Sequence, residues 1–211
     1  MTITKIKQIA KTNRYHLYVD DTWAGIFLDM TLAMTKWKTG QEIDEQEFRQ
    51  VKSENDRKLS FDMAVSYMEK YVVSEKGIKD YLKKKAFDEK IIKQTIEKLK
   101  EYGYIDDEKF AQNYFDSLSE NKGKRSIANK LRSKGISTEI IENLMENVDE
   151  DKQIEQATIL AQKFVKNREK SPKTKQKCLA HLIYKGYDYS VALKACKNIT
   201  DLCEGENDDW I

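Results

Sequence analysis

Apolar and polar residues alternate with a period of two near the start of the chain, in residues 3–8. Residues 15–19 and 23–27 are rich in residues that favour strands, with a turn-like pair of aspartates between them. This pattern predicts a small module of three short antiparallel strands. Asp29 is then expected to cap a short helix that Gly40 closes.

A helical period replaces the strand period from about Asp44 onward. Asp44 and Glu47 have the spacing of a capping box at a helix start. Residues 52–58 are polar throughout, so this part is either a solvated helix or a flexible joint.

One apolar pattern is then written three times, around Leu82, Leu131 and Leu182. A group of four residues begins three positions after each leucine. It consists of a lysine, a small residue, a bulky apolar residue and a residue that favours a helix N-cap. These four-residue groups are Lys85-Ala86-Phe87-Asp88, Lys134-Gly135-Ile136-Ser137 and Lys185-Gly186-Tyr187-Asp188. A repeat of about 50 residues is typical of arrays in which each unit buries its apolar face against its neighbours.

The patterns together predict a mainly α fold: three tandem three-helix repeats in an elongated, curved array, preceded by a small antiparallel β module. The expected segments are a β-rich module at 1–43, a helical linker at 44–59, repeats at 60–106, 107–151 and 152–200, and an acidic tail at 201–211.

Composition narrows the class of protein further. Charged residues make up 35% of the chain and there is one proline, which favours long helices with charged surfaces. No apolar stretch is long enough to cross a membrane, and the first residues do not have the pattern of a signal peptide. The three cysteines lack metal-ligand spacing. We therefore expect a cytoplasmic protein with reduced thiols.

The sequence offers no recognisable catalytic machinery. It has two histidines, His16 and His181, and no phosphate-binding loop or metal-ligand spacing. The pair Asp106-Asp107 fits a helix start, and Cys178 and Cys196 fit core positions. We expect no catalytic residue, no metal and no cofactor.

Basic residues concentrate in the second and third repeats. Residues 152–200 carry 11 basic and 3 acidic groups, whereas residues 107–151 carry 7 and 10. The predicted binding stripe consists of Lys122, Lys124, Arg125, Lys130, Arg132, Lys134, Lys163, Lys166, Arg168, Lys170, Lys173, Lys175 and Lys177. Such a local basic field attracts polyanions. Few aromatic residues accompany these runs, which favours contact with phosphates over reading of bases.

One motif combines the stretch between the first two repeats with leucine and turn positions of the second and third repeats: Gly103, Tyr104, Asp106, Asp107, Phe110, Ala111, Leu131, Gly135, Ile136, Leu182 and Gly186. With these residues the chain resembles the RecX family, regulatory proteins that modulate the RecA recombinase. The resemblance covers about residues 60–200, and the β module is similar to the extra module of Gram-positive members. Ala86 departs from the glycine usual in the family.

The resemblance implies a non-catalytic regulator that binds filaments of a RecA-type recombinase on single- and double-stranded DNA, mainly as an inhibitor. Its setting would be homologous recombination, DNA repair and the SOS response, and a monomer is expected. Two alternatives remain open on the residues alone. One is a stand-alone DNA-binding repeat protein, and the other is a helical scaffold that binds only proteins.

Overall fold

The computed structural model describes residues 1–169, 171–197 and 199, and within them the chain forms three strands and ten helices. The strands β1 (Ile3–Gln8), β2 (Arg14–Val19) and β3 (Thr22–Leu28) make an antiparallel sheet in the order β1-β2-β3. The alternating pattern therefore predicted this sheet correctly. Its buried face packs on residues from the chain that follows, and this core contains Ile3, Leu17, Val19, Phe27, Trp37 and Ile43.

The expected boundaries of the first helix, α1 (Asp29–Thr35), were wrong at both ends. Because β3 runs straight into the helix, the extended residue Leu28 holds the N-cap position and Asp29 is the first helical residue. Lys36 closes the helix in a left-handed conformation with φ 55°, ahead of Gly40. Gly40 instead lies in the following loop, where its N–H donates to the Ile3 carbonyl at 2.8 Å.

Helix α2 (Glu45–Met68) is continuous through the polar stretch. The Asp44 carboxylate caps it, accepting from the N–H groups of Gln46 at 2.8 Å and Glu47 at 3.0 Å. Its middle is neither a joint nor fully solvated, because Asn55 is completely buried. The Asn55 side chain accepts from the Leu28 N–H at 2.9 Å and donates to the Ile26 carbonyl at 2.8 Å. These two hydrogen bonds connect the end of β3 to α2.

The second half of α2 forms a three-helix unit with α3 (Glu75–Lys84) and α4 (Glu89–Glu101). The core of this unit contains Ala64, Ile78, Leu82, Ile92, Ile96 and Leu99. A buried hydrogen bond of 2.7 Å between the Ser60 and Thr95 hydroxyls also joins α2 to α4.

Two further three-helix units follow. Their helices are α5 (Asp107–Ser119), α6 (Lys124–Ser133) and α7 (Thr138–Glu146), then α8 (Glu150–Val165), α9 (Pro172–Tyr184) and α10 (Tyr189–Lys197). Leu131 and Leu182 are fully buried in separate cores, as Leu82 is in the first unit. The chain divides between Ile105 and Asp106 into two compact units, each of which is described by itself below. The predicted acidic tail at 201–211 lies outside the described residues.

The small residue after each repeat leucine adopts the same left-handed conformation. The φ angles are 61° at Ala86, 83° at Gly135 and 94° at Gly186. A left-handed residue lets the chain leave a helix and start the next one, and glycine adopts it without steric cost. Ala86 therefore occupies a turn position that favours glycine, and its methyl group makes the left-handed conformation less favourable.

Replacing Ala86 with glycine is expected to stabilise the protein by about 0.5–1 kcal/mol, because an alanine in this conformation carries a steric penalty of about 1–2 kcal/mol. Urea denaturation followed by circular dichroism measures the change. Ala180→Gly is the matched control, since Ala180 is an exposed residue within α9. There glycine should destabilise by about 1 kcal/mol. Equal effects of the two substitutions would contradict the explanation.

Candidate nucleic-acid interface

The solvent face of α9 carries lysines at helical spacing. Lys173, Lys177, Ala180 and Tyr184 are all exposed, and their offsets of four, three and four residues place them on one side of the helix. The opposite side, with Thr174, Cys178 and Leu182, is buried in the core of the third unit. The Ser171 hydroxyl caps the helix by accepting from the Thr174 N–H at 3.3 Å. Core packing of Cys178 and Cys196 is confirmed.

Other predicted binding residues of the third unit differ in their surroundings. Lys163 and Lys166 are exposed on and just after α8, whereas Lys175 is half-buried. Lys170 lies outside the described residues. The Arg168 guanidinium carbon lies 3.8 Å from the Phe164 ring centroid, and the guanidinium donates a hydrogen bond to the Phe164 carbonyl. Arg168, which follows α8, is therefore held against the last turn of that helix.

His181 completes a stack with that pair. Its ring lies 4.7 Å from the Phe164 ring, centroid to centroid. Burial lowers the pKa of His181, and the positive charges of Lys185 and Arg168 lower it further. The lowered pKa favours the neutral form of the imidazole at pH 7.

The predicted basic residues at the start of α6 face a carboxylate of the third unit. The Lys124 Nζ lies 3.0 Å from an oxygen of Asp188, and the Arg125 Nε lies 3.9 Å from the other. Lys122 and Lys130 are half-buried, and Arg132 and Lys134 are exposed. The second unit therefore presents fewer exposed cations than its sequence indicates.

Backbone hydrogen bonds join the amino end of α6 to the carboxyl end of α9. The Gly123 N–H donates to the Lys185 carbonyl and the Arg125 N–H donates to the Gly186 carbonyl, both at 3.1 Å. These bonds satisfy N–H groups at the start of α6 and carbonyl groups at the end of α9, which lack partners within their own helices. This contact places the basic start of α6 beside the carboxyl end of α9, whereas Lys173 and Lys177 lie in the amino half of α9.

Some lysines of the first three-helix unit form ion pairs with glutamates. Glu75 contacts the Nζ atoms of Lys79 at 2.5 Å and Lys100 at 2.6 Å, and Lys83 pairs with Glu89 at 2.8 Å. Burial raises the pKa of Glu75, but the hydrogen bonds from Lys100 and Lys79 outweigh it and hold that pKa below its ordinary value. These pairs reduce the positive charge of the first three-helix unit, although Lys84, Lys85 and Lys98 there are also exposed.

Sequence reasoning missed two exposed tyrosines in the third unit. Tyr184 is 86% exposed, on the α9 face that carries Lys173 and Lys177, and Tyr189 at the start of α10 is 56% exposed. The signal was present in the spacing, because Tyr184 lies seven residues after Lys177. An aromatic ring beside lysines extends what this surface can bind, since rings stack on bases or anchor a protein partner.

Two kinds of site are not found in the described part of the chain. No group of three or more histidine, cysteine, aspartate or glutamate residues there could hold a metal ion. No helix there is long and apolar enough to cross a bilayer. The Asp106 carboxylate caps α5 by accepting from the Lys109 N–H at 2.8 Å, which confirms its expected role.

Tandem three-helix units after a small antiparallel sheet define the class of this molecule, a helical-repeat protein. The chain belongs to the RecX family. Family models described as the second and third three-helix domains of RecX match residues 106–145 and 150–196.

The relatives of this chain extend the match over most of its length. Regulatory protein RecX of Listeria welshimeri is 32% identical over 95% of this chain and 77% of its own length. That of Clostridium tetani is 32% identical over 88% of each chain. A crystal structure of regulatory protein RecX superposes with a TM-score of 0.66 at 25% identity, covering 90% of this chain and 96% of the other. RecX from Lactobacillus salivarius shares the fold over 67% of this chain and 95% of the other, with a TM-score of 0.63 and 23% identity.

Proposed function

We propose that this protein is a non-catalytic regulator that binds filaments of a RecA-type recombinase on DNA and inhibits them. Membership in a family of regulatory proteins supports the role, and the exposed lysines of the third unit support the contact with DNA. The protein would act in the cytoplasm, as a monomer, on filaments that serve recombination and repair. The segments 60–106, 107–151 and 152–200 would be its three repeats.

The main support for the proposal is a set of exposed lysines on and just after α8 and on α9, termed the lysine surface. Lys163, Lys166, Lys173 and Lys177 are exposed, in a repeat whose sequence has 11 basic and 3 acidic groups. Lysines that neutralise phosphates release condensed counterions, so this kind of binding weakens steeply with salt and ignores base sequence. A regulator that must act anywhere along a filament needs such sequence-independent contact.

Charge reversal of Lys166, Lys173 and Lys177 to glutamate is expected to raise the protein concentration needed for half-inhibition of recombinase ATPase by about tenfold, because three phosphate contacts become repulsive. The assay titrates the protein into preformed filaments on single-stranded DNA. None of the three lysines packs in a core, so thermal unfolding of the variant should match that of the parent.

Reversal of Lys7, Lys38 and Lys70 is the matched control. These lysines are also exposed but lie in the first compact unit, and the change in net charge is identical. Inhibition should persist in the control. Equal loss in both variants would attribute the effect to net charge alone, and full inhibition by the first variant would refute the lysine surface. Binding to naked duplex as tight as binding to filaments would favour the stand-alone DNA binder.

A further inference from the structure

A groove in the first compact unit, outside the lysine surface, combines cations with aromatic rings. It has a volume of about 370 Å³ and lies between α2 and α4, with Met30 of α1 also contributing. Its lining includes Arg57 and Lys58 from α2 and Lys98 from α4, against a single carboxylate, Asp62. The groove is therefore positive and suited to an anion.

One aromatic ring lines this groove, and two tyrosine rings pack against it beside the groove. Phe61 lines the groove, and its ring centroid lies 5.8 Å from that of Tyr102 and 6.2 Å from that of Tyr104, both in edge-to-face geometry. Gly103, with φ 70°, turns the chain back between the two tyrosines, so that both rings reach Phe61. Tyr102 is 57% exposed and Tyr104 is 49% exposed, so ring surface remains open to a ligand.

Lys98 brings charge directly to these rings. Its Nζ lies 5.0 Å from the Phe61 centroid and 5.6 Å from the Tyr102 centroid. A ligand that places a flat ring on the tyrosines would therefore meet a cation within one side-chain length, where an anionic group attached to that ring could bind. This pairing of a stacking surface with adjacent positive charge is how proteins hold single-stranded nucleic acid.

We propose that the tyrosine rings beside this groove stack an unpaired base of a single nucleic-acid strand, with the flanking phosphates against Arg57, Lys58 and Lys98 in the groove. A duplex would not satisfy it, because paired bases keep their faces stacked on one another and cannot lie on an aromatic side chain. A groove of this size is within the range of about 300–1,000 Å³ for pockets that bind small molecules or single groups. The proposal goes beyond the filament contact, since it assigns the stacking of a base to the first compact unit.

The test compares two labelled oligomers of equal length, oligo-dT and a strand of abasic residues, in binding to the full chain by fluorescence anisotropy. Both carry the same phosphates, so the other basic surfaces bind both alike and the ratio of their Kd values isolates stacking. The parent protein should prefer oligo-dT. Tyr102→Ala combined with Tyr104→Ala should lower that preference by about tenfold, because these variants lose the ring surface on which a base would stack.

Three further variants separate stacking from other effects. Tyr102→Phe combined with Tyr104→Phe keeps the rings and should keep the preference. Tyr71→Ala removes an equally exposed tyrosine, 57%, whose ring contacts Tyr67 instead of Phe61, and should also keep the preference. Arg57→Glu combined with Lys58→Glu should weaken binding of both oligomers alike. Thermal melts verify that each variant folds. If the double alanine variant unfolds, Tyr104→Ala alone replaces it in the test, with an intermediate preference for oligo-dT expected.

A parent protein that binds both oligomers equally, or alanine variants that retain the preference for oligo-dT, would overturn the proposal. If the alanine variants kept that preference but lost binding to DNA-free recombinase, the groove would be a protein-docking site instead. The filament proposal does not depend on this result, because its own test measures ATPase inhibition by variants of the third unit.

Discussion

Gly186→Ala is expected to lower the free energy of unfolding by about 3 kcal/mol. Gly186 has a left-handed backbone conformation that alanine disfavours, and the structure leaves no space for the added methyl group. The Cβ atom would lie 2.4 Å from the Ser126 Cβ and 2.5 Å from the Ser126 nitrogen, at the start of α6. Crowding of this kind costs about 1–3 kcal/mol, and the left-handed backbone, with φ 94°, adds about 1–2 kcal/mol. The loss should appear in urea denaturation monitored by circular dichroism.

Two other glycines separate the two causes. Gly103 has φ 70° but nothing within 4 Å of its would-be Cβ, so Gly103→Ala should cost only about 1 kcal/mol. Gly123 has an ordinary φ of −74°, but its Cβ would lie 2.2 Å from the Tyr187 nitrogen, so Gly123→Ala reports crowding alone. If Gly186→Ala cost no more than Gly103→Ala, the close contact between α6 and α9 would not be a source of stability.

Asn55→Leu is expected to destabilise the protein by about 3 kcal/mol, although leucine suits a buried helical position in size and polarity. The substitution leaves the Leu28 N–H, the Thr31 hydroxyl and the Ile26 carbonyl without the side chain that they contact at 2.8–3.1 Å. Each buried polar group left unpaired costs about 1–3 kcal/mol. Thermal and urea unfolding measure the total, and hydrogen exchange at the Leu28 amide should become faster.

Gln50→Leu is the control for that experiment. Gln50 is exposed on the same helix, so the same gain in apolar character should change stability by no more than about 0.5 kcal/mol. Similar effects at the two positions would mean that the hydrogen bonds of Asn55 contribute nothing beyond helix propensity.

The apolar skeleton of the fold was predictable because it depends on spacing along the chain. Leu82, Leu131 and Leu182 are each fully buried, and the turn residue four positions later is left-handed in every repeat. Local periodicity and the conformational freedom of glycine contain this information. The same local signals predicted the sheet and the caps by Asp44 and Asp106.

Contacts between distant residues were not predictable in this way. Nothing near Asn55 in sequence shows that its amide meets the end of β3, so its polar neighbours indicated solvent. The pairing of Lys124 with Asp188 likewise depends on how two helix ends meet. For the binding surface, charge counts indicated the third unit, but exposure could be known only from packing. The ring cluster of Phe61, Tyr102 and Tyr104 also required the fold.

The continuity of α2 sets a limit on how the protein can be divided into fragments. Asn55 in its first half bonds to the sheet, and Ser60 in its second half bonds to α4, so one helix belongs to two cores. A fragment beginning at residue 60 would start in mid-helix, without the cap at Asp44. A recombinant first repeat that folds by itself should therefore begin no later than Asp44, and limited proteolysis should spare α2 while it cuts exposed loops.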